Sequence, residues 1–384
     1  MKRKICVVVA SRANYGRVKP VLKAVEDHPD LELQLIVGAS MLLDRYGKAI
    51  DVVKSDGFVP AKQVYYILEG ENLTTQAKST AMGILELSTA FEELKPDVVI
   101  TVADRFETMA TAIAASYMNI PLAHIQGGEI TGNIDETVRH AITKLAHYHF
   151  PATERSKQRL IKMGEEEWRI VNSGCPSIDT LVSQDLSLQS AEEYIVHTGV
   201  GAKIDTSKPY ILIIQHPVTT EVKEGYNQVL ETLNAAKEFS DYQKLVLWPN
   251  IDAGSDKVSK GIRVFREQNK TEVFRFYKNF PPEIYNIILA NASCAVGNSS
   301  SFIREGSFLG TPAVVIGNRQ EGREHGNNVV HADYCKDSIM KAISLQLEHG
   351  RYDSETIFGK GDAGKIIADY LSNVELVINK RMTY

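Results

Sequence analysis

The sequence predicts an α/β protein built from two doubly wound domains, each with a parallel sheet covered by helices. Short runs rich in β-branched residues alternate with longer segments of helical periodicity, which is the pattern of a parallel sheet with helical crossovers. The alternation fades into a polar stretch over residues 173–208 and then begins again. The length of 384 residues also fits two domains, since a domain takes roughly 150 residues.

The first half contains five predicted strands joined by helical segments. The strands are expected over residues 5–10, 31–37, 98–102, 122–125 and 147–152. The longest helix is expected over residues 75–94, where apolar residues form one face, and Lys95-Pro96 would end it because the residue before a proline disfavours the helical conformation.

The second half repeats the arrangement after the run KPYILIIQHP. Strands are expected over residues 211–214, 245–248, 295–297 and 313–316. We predict a first domain over residues 1–175 and a second over residues 176–363, with a cleft between them. Ligands of such domains bind beyond the carboxyl ends of the strands, so the polar residues that follow strands are the candidate site.

Charge and cysteine content exclude several classes of function. Lys plus Arg total 43 against 48 for Asp plus Glu, a net charge of −5 without a basic cluster, which argues against nucleic-acid or membrane partners. The four cysteines lie far apart, with no C-x-x-C pair. No apolar run approaches the roughly 18 residues of a membrane helix. We therefore expect a cytoplasmic protein with reduced thiols.

Two segments after strands are candidate anion sites. The first is SRANYG (11–16), after which a helix is expected to open; it carries Arg12, but the glycine-rich dinucleotide fingerprint is absent, which argues against NAD or FAD. The second is NSSS (298–301), followed by Glu305, whose carboxylate can accept hydrogen bonds from ribose hydroxyls. The alternative for these serines is plain helix capping. The run GNRQEGR (317–323) adds cations at the same edge and favours a nucleoside diphosphate.

Four carboxylates are the catalytic candidates: Asp104, Glu129, Asp135 and Glu136. Acids crowded at neighbouring strand ends shift one another's pKa values, which makes a general base or acid available near neutral pH. The alternatives are an ion pair of Asp104 with Arg105 or Arg139, and favourable first-turn helix charge for the other two. Neighbours on a helix lie about 100° apart, so only one of Asp135 and Glu136 is expected to face the substrate.

The histidines give weaker signals. His216 follows the first strand of the second half, where it can contact a phosphate or sugar or can be paired for structure. His147 and His149 alternate on a predicted strand, but no third ligand with suitable spacing accompanies them, so we expect no metal site and a structural role. The cysteines lack a Cys-His arrangement and are expected to be core residues.

Seven motifs together give the sequence a family resemblance over nearly its whole length. They are SRANYG, ADRFET, HIQGGEITGNIDETVRHAITKLAHYH, QHPVTT, PNIDAGS, GNSSSFIRE and GNRQEGR. The sequence resembles the hydrolysing UDP-N-acetylglucosamine 2-epimerases, of the bacterial sialic-acid type and similar to the epimerase half of the animal bifunctional epimerase/kinase.

The resemblance implies a GT-B architecture of two Rossmann-like domains with the active site in the interdomain cleft, and a C-terminal helix, here within residues 364–384, that packs back on the first domain. It implies UDP-sugar substrate and UDP product as ligands, no cofactor, no metal, and a homodimer or homotetramer. The implied catalytic residues are Asp104, Glu129, Asp135, Glu136 and His216. The implied substrate-binding residues are Arg12, Gly16, Arg105, Arg139, His216, Asn250, Ser299, Ser300, Glu305 and Arg319.

The implied chemistry is an anti elimination of UDP across carbons 1 and 2 of the sugar, followed by addition of water to the 2-acetamidoglucal. N-acetylmannosamine for sialic acid synthesis is then the product. Three alternatives stay open at this point: a UDP-2,4-diacetamido-2,4,6-trideoxyglucose 2-epimerase of legionaminic acid synthesis, a GT-B glycosyltransferase, and a non-catalytic nucleotide-sugar sensor.

Overall fold

The structure of the protein is a computed structural model that describes residues 2–70, 72–131, 134–250, 252–269 and 271–383. The chain forms two compact units. The first unit comprises Met1–Glu129, Asp135–Val182 and Phe358–Tyr384, and the second comprises Ile130–Ile134 and Ser183–Ile357. Each unit contains one parallel β-sheet with helices beside it.

The strands of the first unit are β1 (Arg3–Val9), β2 (Leu31–Gly38), β3 (Lys62–Val64), β4 (Val98–Val102), β5 (Leu122–Ile125) and β6 (Tyr148–Phe150). The strands of the second unit are β7 (Val200–Gly201), β8 (Tyr210–Ile214), β9 (Gln243–Leu247), β10 (Phe274–Tyr277), β11 (Cys294–Gly297), β12 (Ala313–Ile316) and β13 (Val329–Ala332).

The helices fall into three groups along the chain. The first seven are α1 (Arg12–Asp27), α2 (Ile50–Ser55), α3 (Leu73–Leu94), α4 (Phe106–Tyr117), α5 (Ile134–Leu145), α6 (Glu154–Lys162) and α7 (Pro176–Ser183). The next six are α8 (Gln189–His197), α9 (Gly225–Lys237), α10 (Ser255–Gln268), α11 (Pro282–Asn291), α12 (Arg304–Leu309) and α13 (Lys336–His349). The last is α14 (Ala363–Asn373), which belongs to the first unit.

Both sheets have the strand order of a Rossmann fold. In the first unit the order is β3-β2-β1-β4-β5-β6, with all pairs parallel. In the second unit the order is β13-β12-β11-β8-β9-β10-β7, parallel except for the short antiparallel strand β7. The order reverses beside β1 and beside β8, and ligands of such sheets bind at these switch points. The predicted fold class of two doubly wound domains is confirmed.

The core of the first unit lies on both faces of its sheet. Ile5, Val7 and Val9 of β1 belong to a cluster that includes α1 and α14, while Cys6 and Val8 belong to a second cluster with α3 and α4. Because successive strand residues point to opposite faces, a strand covered on both sides reads as a continuous apolar run. This is why β1, β4 and β8 were predictable from sequence.

Four strands were not predicted because their sequences lack such a run. β3 and β7 have three and two residues. In β10 the apolar residues are interrupted by Arg275. Its guanidinium can be buried because it donates to the backbone carbonyls of Val196, Thr198 and Ala202. Each carbonyl replaces a water molecule that the charge has lost. β13 is the fourth strand without a prediction.

The helix that was expected to begin after SRANYG begins earlier than predicted. Helix α1 begins at Arg12, so Gly16 lies inside it rather than in a preceding loop. The Ser11 hydroxyl accepts a hydrogen bond from the backbone N–H of Asn14 at 3.2 Å and caps the helix there. The cap satisfies one of the N–H groups that a helix leaves without a partner at its start.

The predicted C-terminal helix within residues 364–384 is shorter than expected. α14 ends at Asn373, and Val374 takes an extended conformation. The chain beyond it uses its carbonyls as acceptors: the Tyr148 hydroxyl donates to Glu375 O at 2.8 Å, and Arg169 donates to Val377 O and Asn379 O. These side-chain bonds take the place of the intrahelical bonds that a longer helix would make.

The domain boundaries also differ from those predicted. The first unit continues through most of α7 to Val182 and resumes at Phe358, rather than ending at residue 175 and resuming at 364. The Asp179 carboxylate of α7 accepts from the backbone N–H groups of Ala363 and Gly364 at 3.1 and 2.7 Å. It therefore holds the start of α14 and ties α7 to the first unit.

His147 and His149 have the structural roles expected of them. His147 Nδ1 accepts from Leu122 N, and its Nε2 bonds to Ile378 O at 2.9 Å. His149 Nε2 bonds to Glu165 at 3.0 Å. Among the residues that the structure describes, no three His, Cys, Asp or Glu side chains group as a metal site.

The helices of the described part of the chain do not meet the requirements of a membrane span. None of them is both long enough and apolar enough to cross a bilayer.

A buried ionic cluster around Glu165 fixes the end of the chain to the first unit. Glu165 is fully buried and contacts His149, Lys144 at 2.8 Å and Lys380 at 2.5 Å. Lys380 also donates to the carbonyls of Thr143 and Ala146 near the end of α5. Burial alone would raise the pKa of the Glu165 carboxyl, but these hydrogen bonds outweigh it and lower the pKa to about 2.

We predict that Glu165→Gln lowers the free energy of unfolding of the first unit by about 3–5 kcal/mol, because it leaves Lys380 buried without its counter-charge. Urea denaturation followed by Trp168 fluorescence, in a Trp248→Phe background, would measure it, since Trp168 belongs to the first unit. The exposed Glu167→Gln is the control and should change stability by less than about 0.5 kcal/mol. Equal effects of the two variants would contradict the prediction.

We also predict that the first unit loses stability as the pH falls below about 6.5. Burial lowers the pKa of His124 to about 3, that of His147 to about 4, and also that of His149. Below the ordinary histidine value the unfolded chain binds protons that the folded chain does not, so unfolding is favoured. The two protons of His124 and His147 give a slope of roughly 2.7 kcal/mol per pH unit, and His149 adds to it in the same direction.

Urea denaturation between about pH 7 and pH 5 would measure this slope, in a window above the titration of ordinary carboxyls. His147→Gln should reduce the slope by up to about half, because it removes one of the two histidines whose pKa values lie well below this window. A free energy of unfolding that stays constant over this range would contradict the prediction.

Candidate active site

The carboxyl ends of β1, β4 and β5 lie side by side in the first sheet. Arg12 follows β1, Asp104 and Arg105 follow β4, and Glu129 lies in the loop after β5. The parallel pairing therefore brings these sequence-predicted residues to one edge, as expected for a doubly wound sheet.

The backbone at this edge is strained. Ala39, Ala103 and Gln126 directly follow β2, β4 and β5, and all three have positive φ, at 52°, 67° and 65°. A residue with a Cβ in this conformation costs of order 1 kcal/mol, and such strain concentrates at functional sites. The strain at Ala103 sets the direction in which the chain presents Asp104.

Arg139 of α5 joins the predicted acids of this edge. Its side chain is 1% exposed, forms a short ion pair with Asp104 and donates to the backbone carbonyl of Glu129 at 3.0 Å. Its Nη1 also lies 3.4 Å from a carboxylate oxygen of Glu136. One guanidinium thus holds together the end of β4, the loop after β5 and the first turn of α5. The sequence left Arg105 and Arg139 open as ion-pair partners of Asp104, and in the structure the partner is Arg139.

Arg105 has a different partner, which the sequence analysis missed. Its Nε and Nη2 atoms lie 3.2 Å from the two carboxylate oxygens of Glu107, and Glu107 is fully buried. This two-point contact fixes the plane of the guanidinium. A sequence pattern could have indicated Glu107. It lies in the first turn of α4, two residues after Arg105, and on a helix face that is otherwise rich in alanine.

Glu129 is held in a tight loop and is 4% exposed. Gly128 before it has φ +76°, and a Cβ there would collide with the backbone carbonyl of Ser156. Arg159 donates to the Gly128 carbonyl at 2.9 Å. The carboxylate of Glu129 is thus placed at the edge by a loop whose close packing requires glycine.

Asp135 and Glu136 lie in the first turn of α5. Glu136 bonds to His140 Nε2 at 2.8 Å and lies beside Arg139. Asp135 is half-buried on the neighbouring position of the helix. That only one of Asp135 and Glu136 faces the substrate stays a prediction.

In the second unit, Asn298 is the centre of a polar network at the end of β11. Its side chain is fully buried, accepts from His216 N at 2.7 Å and donates to His216 O at 2.9 Å. Its backbone carbonyl accepts from Arg319 at 3.1 Å and from Gln320 at 3.0 Å. Asn298 thus ties the chain after β8 to the chain after β12. Asn298 belongs to the motif NSSS, but the sequence pattern alone indicated no role for it.

His216 and Asn250 meet at this network. His216 Nδ1 accepts from the backbone N–H of Asn250 at 3.2 Å, which assigns the proton of the neutral ring to Nε2. The Asn250 side chain donates to Asp252 at 2.5 Å, and Asp252 lies 3.8 Å from Arg319. His216, Asn250 and Arg319, all predicted to bind substrate, are therefore brought together.

Ser299, Ser300 and Glu305 follow β11 in a short helical segment. Ser299 caps a 3₁₀ helix formed by Ser300–Phe302, and Glu305 lies in the first turn of α12. Glu305 is 8% exposed, and its Oε2 has no hydrogen-bond partner among the described residues. A buried carboxylate oxygen without a partner is costly and is suited to accept from a ligand hydroxyl.

Gly297 allows this arrangement at the end of β11. It has φ +137°, and a Cβ there would collide with the backbone of Ile214. The chain turns at this point because the side chain is missing. Asn298 and Ser299 are thereby placed at the carboxyl edge of the second sheet.

Comparisons with known proteins agree on one family. The model of the UDP-N-acetylglucosamine 2-epimerase family matches residues 23–372. A Legionella pneumophila protein named UDP-N,N′-diacetylbacillosamine 2-epimerase (hydrolyzing) is 33% identical over 387 residues, covering 100% of both chains. A Neisseria meningitidis UDP-N-acetylglucosamine 2-epimerase is 31% identical over 94% of this chain and 92% of that protein.

The fold has a close counterpart among solved structures. The crystal structure of UDP-GlcNAc 2-epimerase from Neisseria meningitidis bound to UDP-GlcNAc superposes with a TM-score of 0.79 at 20% identity, covering 96% of this chain and 99% of that one. This likeness confirms the predicted GT-B type of α/β fold. The family match and the full-length identities confirm the resemblance read from the motifs: the chain belongs to the UDP-N-acetylglucosamine 2-epimerase family and is a UDP-sugar 2-epimerase.

Proposed function

We propose that the protein is a hydrolysing epimerase that converts UDP-N-acetylglucosamine and water into N-acetylmannosamine and UDP, for sialic acid synthesis. The observation that carries the proposal is the group of carboxylates at the edge of the first sheet, where Arg139 contacts Asp104, Glu136 and the backbone of Glu129. An elimination followed by hydration needs several positioned acids to transfer protons, whereas binding alone transfers no proton.

The first step is an anti elimination. A carboxylate removes the proton from carbon 2, the C–H electron pair forms the double bond between carbons 1 and 2, and the bond from carbon 1 to the diphosphate oxygen breaks with its electrons leaving on UDP. Carbon 2 has no neighbouring carbonyl to acidify its proton, so the base must be well placed and the departing UDP strongly stabilised. Asp104, Glu129, Asp135 and Glu136 are the proposed candidates for this base.

The second step adds water to the glycal. The oxygen of water bonds to carbon 1 as a carboxylate takes the proton that water loses, and a carboxylic acid delivers a proton to carbon 2 on the face that gives the manno configuration. The proton delivered to carbon 2 replaces the one removed in the first step, and the proton lost by water passes to UDP or to solvent, so the enzyme returns to its starting state.

The second unit supplies groups suited to UDP. Ser299 and Ser300 present hydroxyls, Arg319 presents a guanidinium, and the unpartnered oxygen of Glu305 is suited to ribose. We propose that these residues bind UDP together with His216 and Asn250. In the first unit, Arg12, Gly16, Arg105 and Arg139 remain proposed substrate contacts.

A second substrate has support from one specific relative. The Legionella pneumophila protein at 33% identity is named for UDP-N,N′-diacetylbacillosamine, a 2,4-diacetamido-2,4,6-trideoxy sugar. This sugar shares UDP and the 2-acetamido group with UDP-N-acetylglucosamine and differs at carbons 4 and 6. The chemistry at carbons 1 and 2 would be the same, so only contacts to carbons 4 and 6 distinguish the two substrates.

Incubation of the protein with each UDP-sugar in deuterated water tests the proposal. Free N-acetylmannosamine with deuterium at carbon 2, together with UDP, is the expected result. Turnover of only the 2,4-diacetamido sugar would move the assignment to the second candidate. Epimerised sugar still attached to UDP would contradict the hydrolysing step. Transfer of the sugar to an added acceptor would indicate a glycosyltransferase, and intact substrate would contradict an enzymatic role.

We further propose that the protein acts in the cytoplasm as a homodimer or homotetramer. The cytoplasmic placement is supported by four cysteines that are all free thiols in the structure. Light scattering of the purified protein would give the oligomeric state, and a monomer would contradict that part of the proposal.

We predict that Glu129→Gln lowers kcat by about 100-fold or more, because it removes a proton-transfer group while keeping the side-chain shape. The dissociation constant for UDP should change by less than about twofold. Glu154→Gln, an exposed glutamate of α6, is the control and should behave as wild type. Steady-state kinetics and calorimetry give both quantities, and a wild-type kcat for Glu129→Gln would remove this residue from the mechanism.

We predict that Asn298→Asp raises the dissociation constant for UDP by about tenfold or more. A carboxylate cannot donate to His216 O, so one of the two bonds that hold the chain after β8 is lost and a charge is buried. Asn291→Asp, at the exposed end of α11, is the matched control and should bind UDP as wild type does. Unchanged UDP binding by Asn298→Asp would contradict the role of Asn298 as the centre of the site.

A further inference from the structure

Arg105 occupies a position that does not suit a cation. It is the N-cap residue of α4. N-caps are usually Ser, Thr, Asp or Asn, whose oxygens accept from the first turn, and a guanidinium has no acceptor. The helix dipole also disfavours a positive charge at this end. A residue that breaks such local rules is expected at a functional site.

Glu107 compensates this charge from inside the protein. Its carboxylate is fully buried, and its two oxygens lie 3.2 Å from Nε and Nη2 of Arg105. The Arg105 side chain is 14% exposed, so the acid is the sealed member of the pair and the cation extends towards the surface. Apolar groups often replace a buried ion pair without loss of stability. The buried acid is therefore better explained by a role for the cation that it holds.

The surroundings of Arg105 restrict it further. Its backbone carbonyl accepts from the N–H groups of Thr108 and Met109 at 3.0 and 3.1 Å and from the Thr108 hydroxyl at 2.5 Å. The ring centroid of Phe106 lies 5.8 Å from the guanidinium carbon. A guanidinium that is held in this way loses little conformational entropy when it binds a ligand.

The contact with Glu107 determines which edge of the guanidinium is turned away from it. Glu107 takes the edge formed by Nε and Nη2, so the edge formed by Nη1 and Nη2 points away from Glu107. The N–H bonds of this second edge are parallel and match two oxygens of a phosphate. Asp104, the neighbour in sequence, is paired with Arg139 and does not depend on Arg105 for its counter-charge.

We propose that Glu107 is a positioning residue for the elimination: it holds the guanidinium of Arg105 so that the Nη1–Nη2 edge faces the diphosphate of the departing UDP. This inference rests on the proposed function and on the proposed contact of Arg105 with the substrate. Glu107 is assigned no contact with the ligand, and its effect passes through Arg105.

Glu107→Gln tests the proposal because it keeps the size of the side chain but replaces one oxygen with an NH2 group that cannot accept from Arg105. We expect kcat for the UDP-sugar to fall about 10- to 100-fold while KM changes less than about threefold. The negative charge on the diphosphate grows as its bond to carbon 1 breaks, so a misdirected guanidinium costs more in the transition state than in the ground state. Steady-state kinetics give both constants.

A binding measurement separates positioning from general damage to the fold. In Glu107→Gln the dissociation constant for UDP should rise about 5- to 10-fold, because UDP has more negative charge on its terminal phosphate than the UDP-sugar has. The dissociation constant for uridine, which has no phosphate, should change less than about twofold. Calorimetry for UDP and titration by NMR for uridine measure the two values.

Two further variants separate activity from stability. Arg105→Gln should lower kcat at least as much as Glu107→Gln does, and the double variant should be no slower than Arg105→Gln alone. The double variant removes both charges of the pair. It should therefore regain, in urea denaturation, the stability that Glu107→Gln loses by leaving a cation without its partner, but it should not regain kcat.

Glu165→Gln is the matched control. Glu165 is also a fully buried glutamate of the first unit, and its ion-pair partner Lys380 belongs to the end of the chain. Its substitution costs stability and should leave kcat within about twofold of wild type.

Several outcomes would overturn the proposal. A wild-type kcat for Glu107→Gln would remove Glu107 from the reaction. Equal losses of kcat in Glu107→Gln and Glu165→Gln, or weaker binding of uridine as well as of UDP, would show a purely structural role. A double variant slower than Arg105→Gln would break the link through Arg105. If the wild-type protein releases UDP from neither UDP-sugar, the proposed function fails first, and the titrations with UDP and uridine still test Glu107.

Discussion

Parallel pairing around a central strand is the constraint on which both halves of the protein depend. β1 pairs in parallel with β2 and β4, and β8 pairs in parallel with β9 and β11. Parallel strands end at the same edge, so the residues that follow them become neighbours although they are far apart in sequence. In this way one guanidinium, that of Arg139, reaches both Asp104 and the backbone of Glu129 in the first unit, and His216 contacts Asn298 in the second.

The two edges are held by different chemistry. In the first unit a buried guanidinium, that of Arg139, contacts two acids, Asp104 and Glu136, and compensates charges that would otherwise be costly to bury. In the second unit a neutral amide, that of Asn298, satisfies both backbone groups of one histidine. The first arrangement brings together the carboxylates that are proposed to transfer protons. The second places at one edge the hydroxyls, the guanidinium and the carboxylate oxygen that are proposed to bind the nucleotide.

Sequence patterns predicted what depends on local composition and missed what depends on tertiary contacts. Strands covered on both faces, such as β1, were found because their buried residues form a continuous apolar run, which in β1 is Ile5–Val9. β10 was missed because Arg275 interrupts its apolar residues, and no sequence pattern shows the backbone carbonyls to which the buried guanidinium donates. The acids and the serine motif were found because polar residues follow strands. Glu107 was missed because its partner is set by the packing of side chains. The end of α14 was misplaced because the carbonyls beyond it bond to side chains from distant parts of the chain.

The discontinuous first unit imposes an order on folding during synthesis. Ile367 and Leu371 of α14 belong to the same core as Val7 of β1 and Val21 of α1. A ribosome makes β1 and α1 first, and it makes α14 only after the whole of Ser183–Ile357. Until α14 has been made, part of the apolar surface on one face of the first sheet has no helix over it. The second unit needs only Ile130–Ile134 from before residue 183 and is complete at Ile357. The half of the protein that is translated first is therefore the half that finishes folding last.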